Sequence, residues 1–168
     1  MGVDKNNIYK IKNGININDI DIESNNKNIE YDFLSIGGDF YRKGFDLILN
    51  SCELLHDNSY NFKILICGNE SVKEKLMEIF DNHLPKWLTF SYPVTDINKL
   101  FKISNTYVQA SRYETFSFAV CEAAYSGKKI IISDVNGMKW AHDLPVVTVF
   151  NINRNNELYG AYEVVFTF

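Results

Sequence analysis

From residue 31 onward the chain alternates short apolar, β-rich runs with longer stretches in which apolar residues recur at helical spacing. This alternation restricts the possible folds, because neighbouring parallel strands must be joined by crossover segments, which are usually helices. The strand runs are almost continuously apolar, as is typical of strands buried on both faces of a sheet. We therefore expect an α/β domain on a doubly wound, mostly parallel sheet of six strands. The predicted strands span residues 33–36, 62–68, 87–91, 106–110, 129–133 and 146–150.

The segments between these runs predict the helices. Asp96 is suited to cap the start of the third helix. Gly127 is a natural residue to end the fourth, because only glycine takes a positive φ at little cost. A short helical link is expected over residues 137–143. The four helices are predicted over residues 45–55, 71–82, 96–104 and 116–126.

The composition fits one globular domain. The chain has 168 residues, of which 46% are hydrophobic and 23% charged, and only 3 are prolines. The net charge of −4 argues against a general nucleic-acid binder, which needs an extended positive surface. Eight of the first 28 residues are asparagine, so we assign residues 1–30 to a loop-rich lead-in and residues 31–168 to the domain.

The cysteines and the N-terminus favour a cytoplasmic protein. Cys52, Cys67 and Cys121 form no CxxC pair and are odd in number, which favours neither a disulfide framework nor a zinc site. The N-terminus lacks the apolar core of a secretory signal, and no stretch approaches the roughly 18 apolar residues of a membrane span. We expect a soluble protein in a reducing compartment.

The segment after the first strand, residues 37–44, is the first candidate site. Ligands of open parallel sheets bind beyond the carboxyl ends of the strands, where the strand order reverses. Gly37 and Gly38 allow the backbone to approach a ligand closely, and Arg42 and Lys43 bring two cations to a predicted helix start. A phosphate would fit there. The segment matches neither GxGxxG nor the Walker pattern, and the alternative is a tight turn followed by two solvated cations.

The second candidate site carries Glu114 and Glu122. With a helix start near Phe116, Glu122 would lie about two turns inside the helix, roughly 10 Å from Glu114 along the axis. The amides of residues 115–117 could hold an anion while the carboxylates accept hydrogen bonds from sugar or ribose hydroxyls. The alternative is two solvated helix charges. The apolar neighbours of Glu122 argue against that alternative, since a carboxylate among them needs a partner.

At this point the sequence resembles a known family. The run from Ser111 to Ala123, followed by Gly127 and Asp134-Val135-Asn136-Gly137, resembles the E-x7-E signature region of retaining family 4 glycosyltransferases. Arg42-Lys43-Gly44 matches the basic Lys-Gly pair after the first strand of the same domain. Asn13-Gly14-Ile15-Asn16 resembles the Asn-Gly-(Val/Ile)-Asp segment that precedes it. The resemblance covers residues 13 to about 150, with its landmarks in the family's order.

The resemblance implies the C-terminal, donor-binding half of a GT-B enzyme, in which two Rossmann-like domains face each other across a cleft. Arg42 and Lys43 would neutralise the diphosphate of a UDP-, GDP- or ADP-sugar. Glu114 would contact the donor sugar, and Glu122 the ribose hydroxyls. Neither a cofactor nor a metal ion is implied.

The resemblance also implies backbone and base contacts. The amides of Thr115, Phe116 and Ser117 would take the phosphates. The nucleobase is expected near the ends of the second and third strands, where the candidates are Gly68, Asn69, Tyr92 and Val94.

Three features depart from the family pattern. Thr115 and Ser117 stand where the family often has glycines, and their side chains narrow the phosphate approach. Gly38 stands where many members carry an arginine, for which Arg42 would substitute. Against the family pattern, we expect the acceptor-binding domain to be missing and the chain to stop early in what would be a final helix. Asp19-Ile20-Asp21 spells DxD, a metal motif of the other large glycosyltransferase fold, but it lies in the lead-in and we assign it no metal.

These residues support several hypotheses about function. The first is the donor-binding half of a retaining hexosyltransferase that acts on a glycan or lipid-linked acceptor in polysaccharide biosynthesis, and is inactive without an acceptor domain. The second is the donor subunit of a split enzyme with a separate partner chain. The third is a non-catalytic Rossmann-like interaction module, and a sugar-nucleotide 2-epimerase is a further alternative. Membrane contact would arise only through the missing half.

Overall fold

The structure, a computed structural model, describes residues 4–9, 11–17, 28–153 and 157–167. Six parallel strands form one sheet in the order β3-β2-β1-β4-β5-β6. The predicted fold class is confirmed. The strands are β1 (Tyr31–Ile36), β2 (Ile64–Cys67), β3 (Leu88–Ser91), β4 (Ser104–Gln109), β5 (Lys129–Ser133) and β6 (Val147–Phe150).

Helices cover both faces of the sheet, which explains why apolar strand residues are buried on both faces. Phe33 of β1 belongs to the buried cluster on the face covered by the helices that begin at Phe45, Glu70 and Glu157. Its neighbour Leu34 belongs to the cluster on the other face, which the helices that begin at Asn98 and Phe118 and the 3-10 segment Asn136–Ala141 cover. None of the helices in the described ranges is long and apolar enough to cross a membrane. The helices are α1 (Phe45–Asp57), α2 (Glu70–Ile79), α3 (Asn98–Lys102), α4 (Phe118–Tyr125) and α5 (Glu157–Thr167), with 3-10 segments at Lys5–Asn7 and Asn136–Ala141.

Two predicted helix bounds are wrong for the same reason. The second helix ends at Ile79 rather than near Asn82, because Asp81 and Asn82 take φ values of 48° and 63°, outside the helical region. The fourth helix begins at Phe118 rather than near Phe116, because Ser117 takes φ 61° and ψ 83°. Glu122 therefore lies about one turn inside α4, not two.

The predicted end of α4 at Gly127 is confirmed, whereas α3 spans Asn98–Lys102 with Ile97, not Asp96, at its N-cap. The side chain of Asp96 accepts a hydrogen bond at 3.1 Å from the amide of Asn98, the first residue of α3. Gly127 follows α4 with φ 68°, and its amide bonds the carbonyl of Ala124. The next amide, that of Lys128, bonds the carbonyl of Ala123, which completes a Schellman motif.

The sheet order places the two candidate segments side by side. β1 and β4 are hydrogen-bonded neighbours at the point where the winding of the sheet reverses. The segment after β1 and the segment after β4 leave the same edge of the sheet there, because parallel strands end at a common edge. This is the position at which open α/β sheets bind their ligands.

Candidate functional site

The β1–α1 loop, residues 37–44, is folded so that Lys43 points across it. Asp39 closes a turn, since its carboxylate accepts from the amide of Arg42 at 2.9 Å and its carbonyl from the amide of Lys43 at 3.0 Å. A Cβ at Gly37 would lie 2.5 Å from Cγ of Lys43. The lysine stem thus occupies the space that Gly37 leaves open.

Gly44 brings this loop against the end of β4. It takes φ 71°, and a Cβ there would lie 2.0 Å from the carbonyl oxygen of Ala110. No other residue fits, because a side chain would meet both the wrong φ and the backbone of β4. The close approach sets Lys43 beside the segment that carries Glu114.

Glu114 is the centre of the site. Its Oε1 accepts from Nζ of Lys43 at 2.5 Å, from Nε2 of Gln109 at 2.7 Å and from Oγ of Ser111 at 2.9 Å. The guanidinium of Arg42 lies 3.8 Å from the same oxygen. The Glu114 side chain is only 8% exposed, yet no residue in the described ranges donates a hydrogen bond to its Oε2. One carboxylate oxygen accepts from three protein donors, and the other accepts from none of the described residues.

The structure brings the two predicted cations to Glu114 with different exposure. The Lys43 side chain is 17% exposed and the Arg42 side chain 44% exposed. Arg42 also lies 3.8 Å from the carboxylate of Asp39. The alternative of two solvated cations is wrong for Lys43, which forms a partly buried ion pair across 71 positions of sequence.

An arginine joins the two loops at the rim. Arg112 donates both guanidinium nitrogens to the two oxygens of Asp46, each at 2.7 Å, and donates also to the carbonyl of Tyr41 at 2.7 Å. Its amide bonds the carbonyl of Arg42 at 2.9 Å. These contacts tie the β4–α4 segment to the cationic turn on both its backbone and its side chains.

The 3-10 segment Asn136–Ala141 supports Glu114 from the other side. A Cβ at Gly137 would lie 2.0 Å from the carbonyl oxygen of Glu114 and 2.8 Å from the amide of Thr115. Trp140 donates its Nε1 to the carbonyl of Phe116 at 2.7 Å and stacks on the Phe116 ring at a centroid distance of 5.1 Å. The backbone around Glu114 is therefore fixed by residues that lie beyond β5.

The amides of Thr115, Phe116 and Ser117 precede α4 instead of opening it. Within the described part of the chain, none of the three donates a hydrogen bond. The hydroxyl of Ser117 is buried and has no hydrogen-bond partner among the described residues. The three residues predicted to contact phosphate therefore form a turn that ends at the left-handed Ser117, and their amides have no acceptor among the described residues.

Glu122 is a half-buried carboxylate on α4. No described residue forms a hydrogen bond or ion pair with its side chain, and burial raises its pKa above the ordinary value. Burial raises the pKa of Tyr107, and the nearby charges of Glu114 and Glu122 raise it further. Glu122 is therefore partly exposed and partly desolvated, and the described residues provide no partner for its charge.

The four predicted base-contact residues separate into two groups. Asn69 accepts from the amide of Val72 and donates to the carbonyl of Gly38 at 3.0 Å, so it caps α2 and ties that helix to the glycine turn. A Cβ at Gly68 would lie 2.9 Å from the carbonyl oxygen of Gly37. These two residues lie directly beside the β1–α1 loop.

Tyr92 and Val94 lie on the exposed rim, 48% and 41% exposed. The hydroxyl of Tyr92 donates to Glu70 at 2.6 Å and accepts from Lys73 at 2.8 Å. No contact in the described ranges joins either residue to Lys43 or Glu114.

Sequence reasoning missed the polar residues at the end of β4. Tyr107, Gln109 and Ser111 are 1%, 2% and 0% exposed, and they form a hydrogen-bonded row that ends on Glu114. Alternation along a strand puts these three positions on one face. The sequence did carry a signal for this row, since polar side chains recur at i, i+2 and i+4 along a strand that otherwise appears apolar.

The described residues hold no group of three His, Cys, Asp or Glu side chains that could bind a metal ion. Asp19, Ile20 and Asp21 lie outside the described residues. The chemistry available at the site is therefore that of two cations, free backbone amides and two carboxylates with acceptor capacity. Such a set binds an anion flanked by hydroxyl groups.

Comparison with known proteins identifies the family of the chain. The sequence profile of glycosyl transferases group 1 matches residues 16–141. None of the curated protein sequences matches the chain.

Solved structures share the fold at low sequence identity. A glycosyltransferase from Rickettsia africae ESF-5 aligns with TM-score 0.80 and 16% identity over 98% of this chain and 48% of that one. Alr3699/HepE of Anabaena, in complex with UDP-glucose, aligns with TM-score 0.67 and 16% identity over 82% and 39%. The GtfA/B complex aligns with TM-score 0.63 and 19% identity over 84% of this chain and 30% of that one.

The chain thus spans less than half the length of each of these structures. Their likeness shows the α/β, Rossmann-like fold found in GT-B glycosyltransferases. The family follows from the sequence profile, which covers most of the chain. The chain belongs to the glycosyl transferases group 1 family.

Proposed function

We propose that this domain binds the nucleoside-diphosphate sugar donor of a retaining glycosyltransferase, as the C-terminal half of a GT-B enzyme. The observation that carries the proposal is the arrangement at Glu114, whose Oε1 is held by Lys43, Gln109 and Ser111 while its Oε2 is open. A carboxylate in that state accepts a hydrogen bond from a ligand hydroxyl without giving up its protein contacts.

The diphosphate is assigned to Lys43, Arg42 and the free amides of residues 115–117. A donor sugar leaves behind a nucleoside diphosphate, whose negative charge increases as the glycosidic bond breaks. Fixed cations and amides next to that charge stabilise the transition state more than the ground state. Lys43 has three donors, of which one goes to Glu114, so it can hold phosphate oxygens and the carboxylate together.

The hydroxyl groups are assigned to the two carboxylates. Oε2 of Glu114 would accept from the donor sugar, and the unpartnered Glu122 from the ribose. Gly37, Gly38, Gly68 and Asn69 form the adjacent floor, and Tyr92 and Val94 on the rim are candidates for the nucleobase. The family supports a nucleotide-sugar substrate, and one structural neighbour was solved with UDP-glucose.

A second half is part of the proposal. This chain aligns with 48%, 39% and 30% of the three structural neighbours, and one of them is a GtfA/B complex. An open site does not exclude water and offers no acceptor, so we expect the domain alone to bind its donor with little turnover. We propose that an acceptor domain, in the same or a separate polypeptide, completes a cytoplasmic hexosyltransferase that acts on a glycan or lipid-linked acceptor.

Calorimetric titration tests the proposal. UDP, GDP and ADP are compared with uridine, guanosine and adenosine, which lack the diphosphate. We expect one diphosphate to bind at micromolar to millimolar concentration, and Lys43→Met to weaken it about 10- to 100-fold, since a charge-assisted hydrogen bond is lost. The matched control is Lys129→Met, because Lys129 is the exposed first residue of β5 and lies at the amino ends of the strands, opposite the site. Binding of none of the three diphosphates, or equal loss in both variants, would overturn the proposal.

A further inference from the structure

The hydrogen bonds that end on Glu114 begin at a fully buried tyrosine. Tyr107 donates its hydroxyl proton to Oε1 of Gln109 at 2.5 Å. Gln109 in turn donates Nε2 to Oγ of Ser111 at 2.9 Å and to Oε1 of Glu114 at 2.7 Å. Ser111 donates to the same carboxylate oxygen at 2.9 Å.

The direction of this chain of bonds is determined by counting donors and acceptors. An ionised carboxylate only accepts, so the atom of Gln109 that faces Glu114 must be the nitrogen. The amide oxygen must then face Tyr107, which has one hydroxyl proton to give. Burial raises the pKa of Tyr107, and the negative charges of Glu114 and Glu122 raise it further, so its hydroxyl stays protonated and donates.

The result is an unequal treatment of the two oxygens of Glu114. Lys43, Gln109 and Ser111 converge on Oε1, and Gln109 and Ser111 are 2% and 0% exposed, so water does not compete with them. The described residues supply no donor for Oε2. If the Gln109 amide turned over, its oxygen would face the carboxylate and repel it.

We propose that Tyr107 and Gln109 are positioning residues that hold Glu114 with Oε2 turned outward to receive a hydroxyl of the donor sugar. The inference rests on the proposed function, which supplies the sugar. It adds that the orientation of Glu114 comes from a buried polar row behind it and not from its ion pair with Lys43 alone. Neither Tyr107 nor Gln109 touches the ligand.

The experiment compares affinities for UDP and UDP-glucose, or for GDP and GDP-mannose if guanine is the preferred base. Tyr107→Phe removes the donor that orients the amide, and Gln109→Met removes the amide at similar volume. We expect the preference for the sugar nucleotide over the bare diphosphate to fall about threefold to tenfold in each, as expected for a lost hydrogen bond. Affinity for the bare diphosphate should stay within about twofold, because Lys43 and Arg42 are unchanged. Glu114→Gln alters the carboxylate itself, so it should give the largest fall in the preference for the sugar nucleotide.

Tyr162→Phe is the matched control. Tyr162 is also fully buried, but it lies on the opposite face of the sheet and its hydroxyl has no partner among the described residues. The same chemical change there should leave the preference unaltered. If Tyr107→Phe or Gln109→Met lowered the affinities for the sugar nucleotide and the bare diphosphate by the same factor, the effect would be purely structural and the inference would be overturned. An unchanged preference in Tyr107→Phe or in Glu114→Gln would also overturn it.

A second measurement needs no ligand. The two Nε2 protons of Gln109 are both bonded, so in ¹H–¹⁵N spectra we expect them to exchange slowly with solvent and to lose that protection in Tyr107→Phe. Rapid exchange in the unsubstituted chain would overturn the inference. If no nucleotide binds but the protons are protected, the proposed function fails while the oriented amide stands, so the two failures are distinguishable.

Discussion

The ammonium of Lys43 lies 2.5 Å from Oε1 of Glu114, and this pair closes the gap between the loops that follow β1 and β4. The carboxylate offsets part of the positive charge that a diphosphate would need. It also holds the lysine in place before a ligand arrives, which lowers the entropy cost of binding. The pair therefore both opposes and prepares phosphate binding, and variants can separate the two effects.

Glu114→Gln should leave affinity for bare UDP unchanged or raise it severalfold, because a negative charge next to the phosphate site is removed. The amide still accepts from Lys43, so the lysine keeps a partner. Binding of UDP-glucose should gain less or fall, since an amide is a weaker acceptor for the sugar hydroxyl. Calorimetry with both ligands measures this difference. A large loss of UDP affinity would show that Glu114 supports the cations more than it competes with them.

Lys43 and Arg42 should contribute unequally. Arg42 has a 44% exposed side chain and Lys43 a 17% exposed one, so solvent and salt screen the arginine more. We expect Arg42→Met to weaken UDP binding only about twofold to fivefold, and this loss to shrink at 0.5 M salt. The loss in Lys43→Met should persist there. Titrations of both variants at low and high salt check the ranking, and equal losses with equal salt dependence would contradict it.

Gly137→Ala should damage the site through the backbone. The added Cβ would lie 2.0 Å from the carbonyl oxygen of Glu114, so that peptide must move. We expect a lower melting temperature and at least a tenfold loss of UDP affinity. Gly160→Ala is the control, because its Cβ meets nothing within 4 Å and alanine favours the helical state by roughly 0.5–1 kcal/mol. Wild-type affinity in Gly137→Ala would mean that the Glu114 segment tolerates displacement.

Glu122→Gln should change stability in a pH-dependent way. Burial raises the folded-state pKa of Glu122 above the ordinary 4.5. Between the unfolded and folded pKa values the folded chain binds more protons, so stability falls as pH rises through that window and stays lower above it. The variant should therefore melt higher than the wild type at pH 7, with the gain lost below about pH 4.

Ligand binding by the same variant separates a binding site from a non-catalytic module. Glu122→Gln and Glu122→Ala should both lose nucleotide affinity if Glu122 holds the ribose. An interaction module that has lost its ligand would keep or gain stability and show no nucleotide binding in either form. Melting curves with and without UDP measure both properties on one sample.

The pair formed by Arg112 and Asp46 should couple the two loops. A double-mutant cycle with alanine at both positions should give about 1 kcal/mol in the free energy of unfolding, near the upper end for an exposed pair, because the contact is bidentate. Each single variant should also weaken UDP binding severalfold, since Arg112 holds the turn that carries Arg42. The comparison is the pair of Lys75 and Glu78 on α2, which should couple by about 0.5 kcal/mol or less.

Local signals were sufficient for the sheet and for the two loops. Apolar strand runs and helical periodicity depend on neighbours a few residues apart, so the six strands and the position of Arg42, Lys43, Glu114 and Glu122 at one sheet edge could be predicted. The resemblance of the motifs to retaining family 4 glycosyltransferases was found in the same way, and membership of the broader glycosyl transferases group 1 family is confirmed.

Only the tertiary structure decided how these residues are used. Gly137 and Trp140 pack on the Glu114–Phe116 backbone from more than 20 positions away, and α4 begins at Phe118 after a left-handed Ser117. Lys43 meets Glu114 across 71 positions, and Gln109 turns one oxygen of that carboxylate inward. Local sequence patterns carry no record of such contacts, because their energy exists only once distant segments are brought together. The sequence by itself determined which groups reach the site, and packing decided which of their atoms remain free to bind.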